Sequence, residues 1–268
     1  MIADKWQESL GLTTAEDKVW ELYHENSKVT RYNNFPSDET LTAQMRLMAE
    51  SIALPSYPAF ELPKSLLPLD KPIGEAMLAR SSARAMAPCD LTLEQTASIF
   101  GHAYGITRDQ RSMGFPRPFR ACPSAGGLYP LELYFDTEHV IGLPAGLYHF
   151  NPEKLRLQQL YCGGRKDVLA KAVVQPSAVE ASALVYFITA VFDRTIFKYG
   201  DRGYRFVHIE AGHVAQNINL AATALGLGCL NIGGFYDREI DELLGLDGLS
   251  HSTIYMGVIG QSSKTTTP

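Results

Sequence analysis

The chain has 268 residues, of which 46% are apolar and 20% charged, a globular composition with enough Ile, Leu, Val and Phe to bury a core. Its 24 Lys and Arg against 29 Asp and Glu leave a formal charge of −5, the reverse of the basic excess that a nucleic-acid surface needs. The longest uncharged apolar stretch, residues 182–192, falls short of the ~20 residues of a bilayer span.

Met1-Ile-Ala-Asp-Lys5 has no apolar run behind a basic start, so no secretory signal is expected. Cys89, Cys122, Cys162 and Cys229 lie far apart with no C-x-x-C pair. They read as reduced thiols, three of them structural, in a cytoplasmic chain.

In chain order, Thr13-Thr14-Ala15-Glu16 is a capping box. It opens a helix with Val19, Trp20 and Tyr23 at helical spacing, ending near Asn26. A second helix is expected from Ser37 or Asp38 to about Ile52. The prolines at 55, 58, 63, 68 and 72 make 54–72 an extended connector rather than an element. Residues 1–70 are thus expected to form a helical arm wrapped around a domain of 71–261, with 262–268 a polar tail.

From Pro72 the pattern is α+β. A short helix reaches Arg80. Thr92-Leu93-Glu94-Gln95 is a second capping box, opening a helix to Tyr104 that Gly105 closes in a left-handed conformation. Residues 129–140 and 146–160 read as strands, the second folded at Asn151-Pro152-Glu153-Lys154 into a hairpin. Residues 183–192 are apolar on both faces, as in a central strand. The longest helix should span 203–227, with Val207, Ala211, Val214, Ile218, Ala222 and Leu225 in one stripe. Its second half is apolar nearly all round, which suits burial by a partner subunit. Strands at 230–235 and 253–259 flank a helix at 237–244.

Several chemistries fail on spacing. There is no phosphate loop, and Gly226-Leu-Gly228-Cys-Leu-Asn231 follows a helix rather than a strand, the reverse of a dinucleotide fingerprint. His208 and His213 stand ~140° apart on a helix and cannot share one ion, so no metal site is expected; His213 reads as a hydrogen-bonded, half-buried residue. Ser124 in Cys-Pro-Ser-Ala-Gly lacks the first glycine of a nucleophile elbow and precedes a strand.

Three stretches remain. Arg80-Ser81-Ser82-Ala83-Arg84 offers two guanidiniums and two hydroxyls, a donor set suited to a phosphate, with a solvated basic turn as the alternative. Pro123-Ser124-Ala125-Gly126-Gly127-Leu128-Tyr129-Pro130 has small residues that let main-chain amides approach a flat ligand. Ile232-Gly233-Gly234-Phe235 exposes backbone at a strand end. Together they point to an organic cofactor held largely by main chain.

These stretches resemble the nitroreductase-like flavoprotein superfamily, and within it the azoline-oxidising branch. That branch comprises SagB-type dehydrogenases of thiazole/oxazole-modified peptide clusters and oxidase domains of nonribosomal peptide synthetases. The resemblance rests on Arg80–Arg84 and on residues 123–134, 198–205, 210–217 and 225–235, with 23–28 similar to the family's amino-terminal segment. It implies an α+β fold with a mostly antiparallel central sheet flanked by helices, and a homodimer with FMN in an interface groove. By position it implies that Arg80, Ser81, Ser82 and Arg84 hold the phosphate and ribityl chain. Pro123, Ser124 and Ala125 then back the isoalloxazine ring, Gly127 stands where many relatives have Asn, and Gly233 and Gly234 face flavin N5. The family's basic residue after the last strand is replaced by Gln261, with Lys264 a possible substitute.

Lys198-Tyr199 matches the pair that separates azoline oxidases from ordinary nitroreductases. Oxidising an azoline removes a proton and a hydride, and a lysine depressed by burial and by Arg202 and Arg205 suits the proton. The implied substrate is a peptidyl thiazoline or oxazoline, carried on a precursor peptide or a carrier protein, with a cyclodehydratase or synthetase as partner. The alternatives are an NAD(P)H-dependent nitro or quinone reductase, or a non-catalytic flavin-binding scaffold.

Overall fold

The computed structural model describes residues 19–33 and 35–263; the capping box at Thr13, the amino-terminal start and Lys264 lie outside them. The arm begins with α1 (Val19–Asn26) and α2 (Asp38–Leu47), the latter capped by Ser37, whose hydroxyl accepts from the Thr40 amide. The second helix stops five residues short of Ile52. Met48 turns extended, and the carbonyls that follow are claimed by arginines: Arg117 donates to Met48 and Ala49, and Arg120 to Glu50.

The expected connector contains a strand. Ala59–Glu61 (β1) pairs antiparallel with residues 156–158, so the prolines bound an edge strand. Next come α3 (Ile73–Ala79), β2 (Met86–Ala87), β3 (Leu91–Thr92) and α4 (Leu93–Tyr104), whose Thr92–Gln95 capping box is fully formed. Gly105 ends α4 at φ −67°, not left-handed. A Cβ there would strike the Gly101 carbonyl oxygen, so glycine serves close approach rather than conformation.

The remaining elements are β4 (Ile106–Arg108), β5 (Phe119–Arg120), β6 (Leu131–Thr137), β7 (Val140–Ile141), β8 (Gly146–Asn151), β9 (Arg156–Cys162), α5 (Lys166–Lys171), α6 (Pro176–Glu180) and β10 (Leu184–Val191). They are followed by α7 (Asp193–Tyr199), α8 (Arg202–Ala224), β11 (Gly228–Ile232), α9 (Asp237–Leu244) and β12 (His251–Ser262). The Asn151 turn forms as expected, with Oδ1 accepting from the Lys154 amide. The last strand takes in Ser262, which the sequence reading assigns to the tail; Gln261 and Ser262 pair with Ala87 and Met86.

The main sheet runs β1-β9-β8-β6-β10-β12-β11, antiparallel at every pairing, with β2 beside the end of β12. Hairpins and crossovers leave helices on both faces, which is why β6, β8 and nearly all of β10 are buried on both sides. On one face α4 and α8 pack Ile99, Phe100, Val207, Val214 and Ile218 onto Phe135, Tyr186 and Ile188. On the other, α5, α6 and α9 cover Phe187, Met256 and Val258 with Leu169, Val179 and Ile240. His213 departs from expectation. It is exposed, because 3.6 residues per turn put it with Ile209 and Gln216 on the outer face of α8, away from the buried stripe.

The arm is fixed where it crosses the sheet. The buried Glu132 carboxylate accepts from the Ser51 hydroxyl, the Ile52 amide, His149 and, at 2.6 Å, Arg194. The Arg194 and His149 partners outweigh burial and hold Glu132 well below the usual carboxylate range. Among the described residues no helix is long and apolar enough to cross a membrane.

Candidate active site

The small-residue loop after β5 is held from below. Ser124 turns its hydroxyl inward, donating to the Glu210 carboxylate and accepting from the Tyr129 amide at 2.9 Å. Glu210 also accepts from the Tyr104 hydroxyl at 2.7 Å. Burial pushes its carboxyl up to about 7, against the lowering effect of both hydroxyls and of Arg120. Ala125–Gly127 form one 3-10 turn, with Gly126 and Gly127 both at φ +65°, and Tyr129 is left-handed at φ +49°. With its hydroxyl engaged, Ser124 offers a ligand main chain rather than side chain. Its acceptor is a carboxylate and not a histidine, so no nucleophile–base pair forms.

Lys198 and Tyr199 end α7. Gly200 breaks the helix at φ +54°, and α8 begins two residues later. The Tyr199 ring packs edge-on against Phe206 at 4.9 Å, and Lys198 Nζ lies 5.2 Å from the Tyr199 ring centre. Both polar tips converge on Gly126. A Cβ there would stand 2.7 Å from the Tyr199 hydroxyl and 2.9 Å from Lys198 Nζ. Lys198 makes no ion pair with any described residue. The two arginines named beside it serve the arm as well: Arg202 donates to the Ser27 carbonyl, and Arg205 donates to the Ser27 hydroxyl and the His24 carbonyl. Arg202 still shares a cavity with Lys198.

The basic stretch lies elsewhere. Ser82 bridges Cys229 in parallel, and the Ala83 amide donates to the Cys229 carbonyl at 3.0 Å. With Ala83 buried, strand alternation turns Ser82 and Arg84 outward, and both are exposed, as is Ser81. This close seating needs Gly228, where a Cβ would come 2.8 Å from that of Ala83. Arg80 and Arg84 have no carboxylate partner among the described residues. The Ser263 amide bonds the Ala85 carbonyl, so the chain leaves β12 beside this stretch. Gly233 and Gly234 follow β11, exposed. The Gly234 carbonyl accepts from Val174, and Gly233 has open space where a side chain would stand.

The residues fit a flavin mononucleotide in character. Two guanidiniums with no carboxylate partner among the described residues, beside serine hydroxyls, suit the phosphate, and the loop at 123–127 and the open Gly233 offer backbone to a flat ring. They fall into two groups along α8. Lys198, Tyr199 and the 123–127 loop gather at the start of α8, whereas Arg80–Arg84 sit against Cys229, just past its end. Lys198 and Tyr199 precede the helix and the loop meets it at Glu210, so roughly 34 Å of helix lies between the Lys-Tyr pair and the Arg80–Arg84 end, and roughly 21 Å between the loop's contact and that end. Sequence reasoning missed the structural part of Glu210. A buried acid three residues from an exposed histidine carries no sequence signal of the hydroxyls that will face it.

Comparison with known proteins fits this picture. The model of the nitroreductase family matches residues 77–261. MJ1384 of Methanocaldococcus jannaschii, named as a nitroreductase, is 39% identical over 170 residues, 63% of this chain and 82% of its own length. The trifolitoxin-processing protein TfxB of Rhizobium leguminosarum bv. trifolii is 26% identical over 90% of this chain, and the microcin B17-processing protein McbC of Escherichia coli is 33% identical over 48%. The chain spans 66% of TfxB and 49% of McbC. The solved E. coli McbBCD microcin synthetase complex, with truncated pro-MccB17 bound, shares the fold at a TM-score of 0.55 and 19% identity, over 95% of this chain and 86% of that one. The chain therefore belongs to the nitroreductase family of flavin-dependent oxidoreductases, on the SagB-type branch with the peptide-processing relatives.

Proposed function

We propose that the chain is an FMN-dependent dehydrogenase that oxidises peptidyl thiazoline or oxazoline rings to thiazole or oxazole, acting as a cytoplasmic homodimer. The observation that carries this reading is the convergence of Lys198 Nζ and the Tyr199 hydroxyl over Gly126, 2.9 and 2.7 Å from where a Cβ would stand. A base and a hydroxyl thus overhang the loop on which a flat ring system would lie.

The dimer is supported by distance. A two-fold axis crossing α8 sets the Arg80–Arg84 end of one copy beside the Lys198 end of the other, so each site draws on both chains. The surface such an axis would cover carries exposed apolar side chains: Met77 and Leu78 on α3 are 57% and 90% exposed, and Ile209 on α8 is 54% exposed.

When bound, FMN would supply the hydride acceptor, with O2 as the terminal oxidant. Lys198 Nζ takes the proton from the ring carbon derived from Cα. The electron pair of that C–H bond forms the new ring double bond as the hydride leaves the neighbouring carbon. The Tyr199 hydroxyl donates to the ring nitrogen, which acidifies the same C–H bond. The 123–127 loop supports the ring plane through main chain, and Arg80 and Arg84 anchor the phosphate. A cyclodehydratase or synthetase that forms the azoline is the natural partner, as the McbBCD assembly of the microcin relative suggests.

The test is incubation of the purified, FMN-loaded protein with a synthetic peptidyl thiazoline, read as the mass loss of two hydrogens. Lys198→Ala is expected to keep the yellow flavin and to slow oxidation by about 10²–10⁴-fold; a wild-type rate in that variant removes Lys198 as the base. Rapid bleaching by NADPH with no azoline oxidised favours a nitro or quinone reductase. Bound flavin with neither activity favours a scaffold.

A further inference from the structure

We propose that the arm segment between α1 and α2 walls a substrate subsite beside the Lys198–Tyr199 pair, and that this subsite takes an apolar side chain from a residue flanking the azoline ring. The inference rests on the azoline reading above and assigns the arm a role in choosing among azoline peptides.

A cavity of about 420 Å³ opens beside the pair. Its arm side is Val29, Phe35, Pro36 and Leu41, and its domain side adds Phe206 to Lys198, Tyr199 and Arg202. Val29 and Phe35 remain 49% and 52% exposed although the chain is anchored on both sides of them. Upstream, Arg202 and Arg205 grip Ser27 and His24, and the Tyr23 hydroxyl donates to the Asp201 carbonyl at 3.1 Å. Downstream, Arg117, Arg120 and Glu132 hold residues 48–52. Anchors at both ends fix the intervening apolar residues relative to Lys198 and limit their freedom to collapse into the core. Their exposure is thus a standing solvation cost that an apolar ligand group would relieve.

The occupant follows from the chemistry next door. A ring placed with its acidic carbon at Lys198 Nζ carries, within a few bonds, the side chains of the residues before and after it. The cavity adjoins that position, is walled mainly by aliphatic and aromatic groups, and has the cations Lys198 and Arg202 against the single acid Asp38. That balance disfavours a basic side chain. A second cavity of about 230 Å³ shares Val29, Phe35, Tyr199 and Arg202, and its wall adds Ser27, Lys28 and Asn33. Polar groups there suit the peptide backbone that must continue from the side chain.

The experiment compares peptidyl thiazolines bearing Leu, Gly or Lys on either side of the ring, using the FMN-loaded protein. It reads kcat/KM for oxidation and Kd for the matching thiazole peptides. On one side of the ring, Leu is expected to exceed Gly and Lys by about tenfold or more in both readouts. Phe35→Ala should bring the Leu-to-Gly ratio to within about threefold. Tyr32→Ala, on the same segment but 92% exposed and outside the cavity wall, should leave the ratio as in wild type. Oxidation with no side-chain preference, or a preference that Phe35→Ala leaves intact, overturns the subsite while the azoline reading stands. Failure to oxidise any of the three peptides overturns both.

Discussion

Glu210 shows how one buried group can shape a site it does not enter. Its carboxyl, pushed up to about 7 from an ordinary 4.5, holds its proton more tightly folded than unfolded. The folded chain therefore binds more protons at this group between those values, so the contribution of Glu210 to stability is fully present below pH 4.5 and is lost as pH rises through 7. At about 1.4 kcal/mol per unit the decline is on the order of 3 kcal/mol. Glu210→Gln, which cannot ionise, should lose less stability than wild type between pH 5 and pH 8; urea unfolding at the two pH values checks it, and a loss as large as that of wild type places the titration elsewhere, for example at the raised carboxyl of Asp136. Gly126 is a second demanding position. Its φ of +65° disfavours any side chain, and a Cβ would strike the Lys198–Tyr199 tips. Gly126→Ala is thus expected to cost about 1 kcal/mol or more in stability and to lower azoline turnover more than flavin binding, measured by thermal melting beside the thiazoline assay.

At the scale of elements, the Arg80–Arg84 stretch is extended chain held by a single bridge rather than a ladder. It is pinned to β11 by the Ser82–Cys229 bridge and the Ala83 amide, and only alternation decides that Arg84 faces out. Arg84→Ala should therefore weaken FMN binding by about tenfold or more while leaving riboflavin, which has no phosphate, unchanged. Fluorescence titration with the two ligands separates these outcomes, and equal weakening of both would remove Arg84 from the phosphate site. The same scale explains where the sequence reading held and where it slipped. The Thr92 capping box, the Asn151 hairpin and the apolar stripe of α8 are local patterns whose partners lie a few residues away, and they appear where expected. The early stop of α2 and the three residues of β1 depend on Arg117, Arg120 and β9, far along the chain. No window of sequence contains those partners.

For the whole molecule the governing fact is the length of α8. A roughly 34 Å helix between Lys198 and the Cys229 bridge supports the proposal that two copies share each flavin site. Replacing two exposed apolar residues of α3 tests this. Met77→Glu with Leu78→Glu should yield a folded monomer with an unchanged far-ultraviolet circular dichroism spectrum that no longer retains FMN, as read by sedimentation and absorbance together. A monomer that keeps its flavin would show the site to be complete in one chain.

The sequence by itself determined the character of this protein: an α+β chain with capped helices, an apolar central strand, a basic pair, two glycine-rich turns and a Lys-Tyr dipeptide. These are legible because each is a short-range choice of residue and spacing, or a motif long enough to resemble a family. Only the tertiary structure decided how they meet. Folding brought Lys198 and Tyr199 over Gly126 from 72 and 73 residues away, turned the Ser124 hydroxyl to a buried acid, and carried the arm over the candidate site on two arginines from α8. The physical reason is that such contacts join groups whose separation in the chain sets no limit on their distance in space, and the packing of the two cores fixes that distance.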